Sequence, residues 1–266
     1  MTIRRGYADT PLGQLHYAQA GDGPVLLMLH QTPRSHDEFA ELQPLLADSY
    51  RTVAMDMPGF GSSAPLAGAM TIEALAEGGW ALLDSLGAER AVLLGHHTGA
   101  AVAQEMAVQA PERTLALVLS AMPWVDAERR ANRHGVGVDD ATLADDGSHL
   151  IELWRQRQPY YPTSRPDLLN RFVRDALAPG LDPTEGHRAV GRYEMDLRIG
   201  AVIAPVLLLA GTEDPFAAKA LPAVRSALTS AQVVVVRSLD GGQVPAMEQC
   251  AEQVAGHVRA FLAELA

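Results

Sequence analysis

Short apolar runs rich in Val, Leu and Ile recur along the chain at Val25–Leu29, Thr52–Met55, Ala91–Leu94, Leu115–Leu119, Pro205–Leu209 and Val233–Val236, with amphipathic stretches between them. A run that is apolar at every position has both faces buried. Repeated with helices between the runs, it implies parallel strands sandwiched between two helical layers. Two earlier segments, Ile3–Ala8 and Gln14–Ala20, alternate and meet at a Thr10-Pro11-Leu12-Gly13 turn, as a hairpin at one sheet edge would. The pattern predicts about eight strands, the first pair antiparallel. Apolar residues at three- and four-residue spacing predict helices at His36–Ala47, Thr71–Leu86, Gly99–Ala110, Phe216–Leu228 and Ala246–Leu265.

The alternation breaks once. Between Pro123 and Gly200 no strand is evident, while Arg, Asp and Pro are frequent, so the segment reads as a helical insertion after the sixth strand. The expected organisation is an α/β core of residues 1–122 and 201–266 with a helical lid subdomain of residues 123–200. At 48% hydrophobic residues, 266 residues suffice for one such core. The insertion carries Trp124, Trp154, Tyr160, Tyr161, Phe172 and Tyr193, which serve either an apolar pocket or the subdomain's own packing.

A formal charge of -11 sets up a field that repels nucleic acid and anionic membranes, leaving a small molecule as the expected partner and self-association open. The apolar runs are too short to span a bilayer, and Met1–Gln14 has no apolar core of a secretory signal. The single cysteine, Cys250, cannot form an internal disulfide. It fits a reducing, cytoplasmic location and reads as a buried small side chain.

The chemistry concentrates where the fifth strand runs into a helix through Gly95-His96-His97-Thr98-Gly99. Small residues two before and two after position 97 permit a sharp turn that lifts one side chain clear at the strand's carboxyl end. Taking Thr98 as the lifted residue would put His96 where the turn demands a small one, so His97 is the residue presented.

These motifs resemble the α/β-hydrolase superfamily over nearly the whole chain, in the branch that includes haloalkane dehalogenases, epoxide hydrolases and C–C bond hydrolases. The resemblance rests on His30-Gln31-Thr32-Pro33, Asp56-Met57-Pro58-Gly59-Phe60-Gly61-Ser62-Ser63, the elbow, Gly211-Thr212-Glu213-Asp214 and Gly241-Gly242-Gln243, in that order. It implies an α/β-hydrolase fold whose elbow carries His97 where the family has Ser, Asp or Cys, and whose last loop carries Gln243 where the family has His. Asp214 matches the family's acid. Backbone N–H groups of Thr32 and Thr98 would face a developing oxyanion, with Gln31 standing where the family usually has glycine. Asp56 reads as part of a structural turn.

The preferred role of His97 is a general base, its ring held by Asp214 or Gln243, since imidazole titrates near neutrality. A nucleophilic imidazole forming an acyl intermediate is a second reading, and a metal held by His30, His96 and His97 a third. A scaffold that binds ligands without turnover is the fourth. The expected enzyme uses no cofactor and no metal and acts on a carbonyl, ester or lactone-type substrate. The alternative is a lyase, isomerase or cyclase using the same base. His30, Gln31, Arg34, His96, Trp124, Trp154 and Tyr160 are the candidate substrate contacts. His134, His149 and His187 could reach the pocket from the insertion, while His16, His36 and His257 read as solvated or packed.

Overall fold

A computed structural model describes residues 2–132 and 139–265 of the protein, so His134 lies outside the described residues. Eight strands form one sheet: β1 (Arg4–Thr10), β2 (Gly13–Ala20), β3 (Val25–Leu29), β4 (Arg51–Met55), β5 (Ala91–His96), β6 (Thr114–Ser120), β7 (Val206–Gly211) and β8 (Val234–Leu239). Their spatial order is β1-β2-β4-β3-β5-β6-β7-β8. β1 pairs antiparallel with β2, β2 antiparallel with β4, and the other six strands run parallel. Both faces of the sheet are covered: one apolar cluster gathers Leu27, Leu29, Leu93, Leu117 and Leu208, the other Leu26, Met28, Leu94, Val118 and Leu207. Neighbouring residues of the same strand fall in opposite clusters, which is why the runs had to be continuously apolar.

The helices are α1 (Leu42–Leu46), α2 (Ile72–Ser85), α3 (Thr98–Gln109), α4 (Ala127–Ala131), α5 (Ser148–Arg157), α6 (Pro166–Ala176), α7 (Glu185–Arg192), α8 (Met195–Arg198), α9 (Pro215–Ala227), α10 (Ala246–Gln249) and α11 (Ala251–Ala263). Two expected helices are divided. His36–Ala47 is a short 3-10 turn, His36–Phe39, followed by α1, and the C-terminal helix breaks at Cys250, whose φ of -114° and ψ of 26° leave the helical region. Cys250 is buried. Among the described residues no helix is long and apolar enough to cross a membrane.

Helices α4 to α8 lie between β6 and β7, and α5 and α6 share a small core of Leu153, Tyr161, Leu168, Leu169 and Phe172. The strand order reverses beside β3, since β4 lies on one side of it and β5 on the other. At such a switch point the loops leaving adjacent strands diverge and open a crevice at the carboxyl ends. The loops after β3 and β5 border that opening.

Candidate active site

The elbow is held by contacts that tolerate no side chain at its glycines. A Cβ on Gly95 would lie 2.1 Å from the Gly99 carbonyl oxygen, and one on Gly99 would lie 1.9 Å from the Leu29 carbonyl oxygen. Backbone on both sides cannot yield. Gly99→Ala should therefore destabilise the fold by roughly 3 kcal/mol or more, read as a lowered urea midpoint; a midpoint equal to that of the native protein would show that the elbow is loose. Between the two glycines His97 adopts φ 47° and ψ -112°, a conformation that costs a non-glycine residue about 1–3 kcal/mol. Its backbone N–H donates to the Ser120 carbonyl at 2.9 Å, tying the turn to β6.

The His97 ring lies on the wall of a cavity of about 830 Å³. Its Nε2 is 3.1 Å from Asp214 Oδ2, within ion-pair distance although not aligned for a regular hydrogen bond. Asp214 caps α9, its Oδ1 accepting from the N–H groups of Phe216 at 2.8 Å and Ala217 at 3.0 Å. Burial works against the Asp214 charge, but His97 and these two amides hold the carboxyl down at about 2. A carboxylate beside Nε2 keeps the proton there and leaves the lone pair on Nδ1. Among the described residues nothing in the protein bonds to that Nδ1, nor to the backbone N–H of Thr32 or Thr98.

The cavity wall also includes Gln31, Thr32, Thr98, Trp124 and Tyr160, which were expected at the site. Gln31 is held by Glu38, which accepts from its backbone N–H at 2.7 Å and its side-chain amide at 2.6 Å. Glu38 is fully buried, and burial pushes its carboxyl up. Helix α7 can approach Thr32 because residue 186 is glycine: a Cβ there would lie 2.1 Å from Thr32 Oγ1.

Five other expectations are corrected. His30 is fully buried, its Nδ1 donating to the Gln31 carbonyl and its Nε2 accepting from the Met57 N–H, so it ties two loops together and does not line the cavity. Burial lowers its pKa to about 4. His96 is likewise committed, with Nδ1 3.0 Å from Ser120 Oγ and Nε2 2.8 Å from the Val244 carbonyl, and burial lowers it to about 3. With both nitrogens of each ring engaged, His30 and His96 have no lone pair left for a metal shared with His97. Arg34 is fully buried in a charge network: its Nε donates to Asp175 at 3.0 Å and its Nη1 to Glu248 at 2.6 Å. Trp154 packs against the small core of the insertion rather than facing the cavity. Gln243 makes no hydrogen bond to His97: its backbone N–H bonds Gln249, and its buried side-chain oxygen has no partner among the described residues. Asp214 is therefore the residue at the His97 ring.

Asp56 is the structural anchor expected. It accepts from the backbone N–H and Nδ1 of His36, from His16 Nδ1 and from the Ser62 N–H, at 2.7 to 2.9 Å. Burial opposes its charge, but these donors hold the carboxyl well below the usual range and use up its lone pairs. Missed in the sequence were Glu38, Arg129, Asp139 and Arg157, the last three of which line the cavity together with His187, which was expected to be able to reach it. The Arg129 Nε is buried without a partner.

The sequence pattern of the alpha/beta hydrolase fold family matches residues 24–240. The chain belongs to the α/β-hydrolase fold family. It is 31% identical over 240 residues to a 2-hydroxy-6-oxononadienedioate/2-hydroxy-6-oxononatrienedioate hydrolase from Pseudomonas putida, covering 80% of this chain and 79% of that one. It is 37% identical over 109 residues to a fluoroacetate dehalogenase from Burkholderia sp, covering 39% of this chain and 36% of that protein. The chain spans about a third of the length of two of the curated relatives it matches. Among solved structures, a thermophilic esterase from Thermogutta terrifontis superposes with a TM-score of 0.76 at 25% identity, over 98% of this chain and 99% of that one. These three relatives are a hydrolase, a dehalogenase and an esterase, and the elbow of this chain holds histidine.

Proposed function

We propose that this α/β-hydrolase-fold protein is an enzyme that attacks a small carbonyl, ester or lactone-type substrate by acid–base catalysis from His97, without a nucleophilic serine. One arrangement supports the reading most: an elbow imidazole on the cavity wall, paired with Asp214 at 3.1 Å, beside two unpaired backbone N–H groups. Nδ1 takes a proton from water as the oxygen adds to the carbonyl carbon. The carbonyl oxygen gains the electron pair and accepts from the N–H groups of Thr32 and Thr98. The imidazolium is stabilised by Asp214 and returns its proton to the departing oxygen or carbon when the tetrahedral intermediate collapses. Trp124 and Tyr160 supply apolar wall on the side of the 123–200 segment, which acts as the lid.

The deciding experiment is turnover in ¹⁸O-labelled water across a panel of small esters and lactones, with mass spectrometry of the acid product. Label in the carboxyl group at the first turnover supports direct hydrolysis. Unlabelled, rearranged product would replace it by isomerisation or cyclisation from the same base, and saturable binding without turnover by a ligand-binding role. A serine-directed fluorophosphonate should leave the elbow unmodified, because Gln243 cannot take a proton from any hydroxyl there. Labelling at Thr98 would overturn the assignment of His97 as the presented residue.

A further inference from the structure

A second histidine–carboxylate pair faces the same cavity from the 123–200 segment. His187, on α7, has Nε2 2.7 Å from Asp139 Oδ2. Arg157, at the end of α5, grips both oxygens of Asp139 through Nε and Nη2, and its guanidinium lies over the Phe172 ring at 5.1 Å. All three residues line the cavity. Asp139 is 1% exposed, and although burial opposes its charge, His187 and Arg157 hold its carboxyl below the usual range. Arg157 also compensates the buried negative charge, so the pair does not depend on a protonated His187.

The position of the proton follows. Arg157 Nη2 lies 3.3 Å from His187 Nε2, but it has Asp139 to donate to, and the carboxylate, which can only accept, is the nearer partner. Nε2 therefore carries the hydrogen and Nδ1 the lone pair. Among the described residues Nδ1 has no bonding partner. Among the described residues His187 thus keeps one unbonded nitrogen, on a residue that lines the same cavity as His97. Burial lowers its pKa, which favours the neutral ring.

We propose that His187 is a second base of this site, which takes the hydrogen of an O–H group on the substrate, with Asp139 as its positioning residue and Arg157 fixing Asp139. The inference rests on the His97 reading and narrows it to carbonyl compounds that also bear an enolic, phenolic or alcoholic hydroxyl. The O–H bond breaks with its electron pair kept by oxygen, and the proton joins Nδ1. The resulting imidazolium sits between the Asp139 carboxylate and the substrate oxyanion, and it returns the proton when the product leaves.

Nitrogen-15 NMR of the histidine-labelled full chain tests this, with phenol as the hydroxyl probe and anisole as its non-donating counterpart, and with His187→Asn and His97→Asn assigning the rings. The expected spectrum shows His187 as the Nε2–H tautomer, with Nδ1 shifting saturably with phenol but not with anisole. Asp139→Asn should weaken that response while the far-ultraviolet circular dichroism stays native. A purely structural ring would show no difference between the two probes. An Nδ1–H tautomer, or a phenol response confined to His97, overturns the second base and leaves the His97 reading standing. A response confined to His187 supports the second base, since phenol carries no carbonyl for the His97 step. If neither ring responds, the second base falls, while the His97 reading is decided by the ¹⁸O experiment.

Discussion

His97→Ala should fold and bind like the native protein yet lose turnover by about 10²–10⁴-fold, the contribution expected of a positioned general base. The side chain is only partly buried and stands at the cavity wall against the edge of the His96 ring, outside the apolar clusters of the sheet, so its removal should leave the sheet and α3 intact. What disappears is the ring nitrogen proposed to take the proton from water. Thermal melts and kcat measured on the same preparation check both halves. An alanine variant as active as the native protein would move the chemistry to another residue, and one that fails to fold can be replaced by His97→Gln, which fills the same space. Asp214 should not shape the acid limb of the pH profile. Its carboxyl is held at about 2, below the ordinary carboxylate value near 3.9, so the stability it contributes is complete above that ordinary value and is lost only as pH falls towards about 2.

Arg34→Ala should cost about 3–5 kcal/mol of folding stability, because it leaves buried acids without their shared cation. The guanidinium is fully buried between Asp175 of α6 and Glu248 of α10, so it links the 123–200 segment to the core. Urea denaturation gives the number directly, and a loss below about 1 kcal/mol would mean that the network is replaceable packing. The same network predicts a pH slope. Burial outweighs the pull of Arg34 on Glu248 and pushes its carboxyl up to about 8. A group whose value is raised on folding stabilises fully below its unfolded value near 4.3 and loses that contribution as pH rises through about 8. Glu248→Gln should flatten the fall in stability across that window.

Strand positions were legible because a doubly covered sheet forces continuous apolar runs, and all eight strands fall on segments that the pattern marks. The elbow was legible for a similar reason. Gly95 and Gly99 are the spacing a backbone turn with 1.9 to 2.1 Å clearances requires, and that requirement is local. Helix ends were less so: nothing in the apolar spacing announces the break at Cys250.

Side-chain partnership was a different matter. His30 and His96 were both expected as substrate contacts, yet each spends both nitrogens on neighbouring protein groups, while among the described residues nothing bonds Nδ1 of His97. Arg34 sits in a loop that resembles a pocket rim, and its partners are 141 and 214 residues away. Asp139, Arg157 and His187 are separated by 18, 48 and 30 residues and carry no motif, so nothing short of the folded insertion brings them to one wall. The amino-acid order by itself dictated the layered sheet and the histidine at its sharpest turn, since both follow from constraints among near neighbours. Which polar groups meet, and which are left facing the cavity, was settled by packing between distant segments, because a hydrogen bond depends on position and angle in space rather than on distance along the chain.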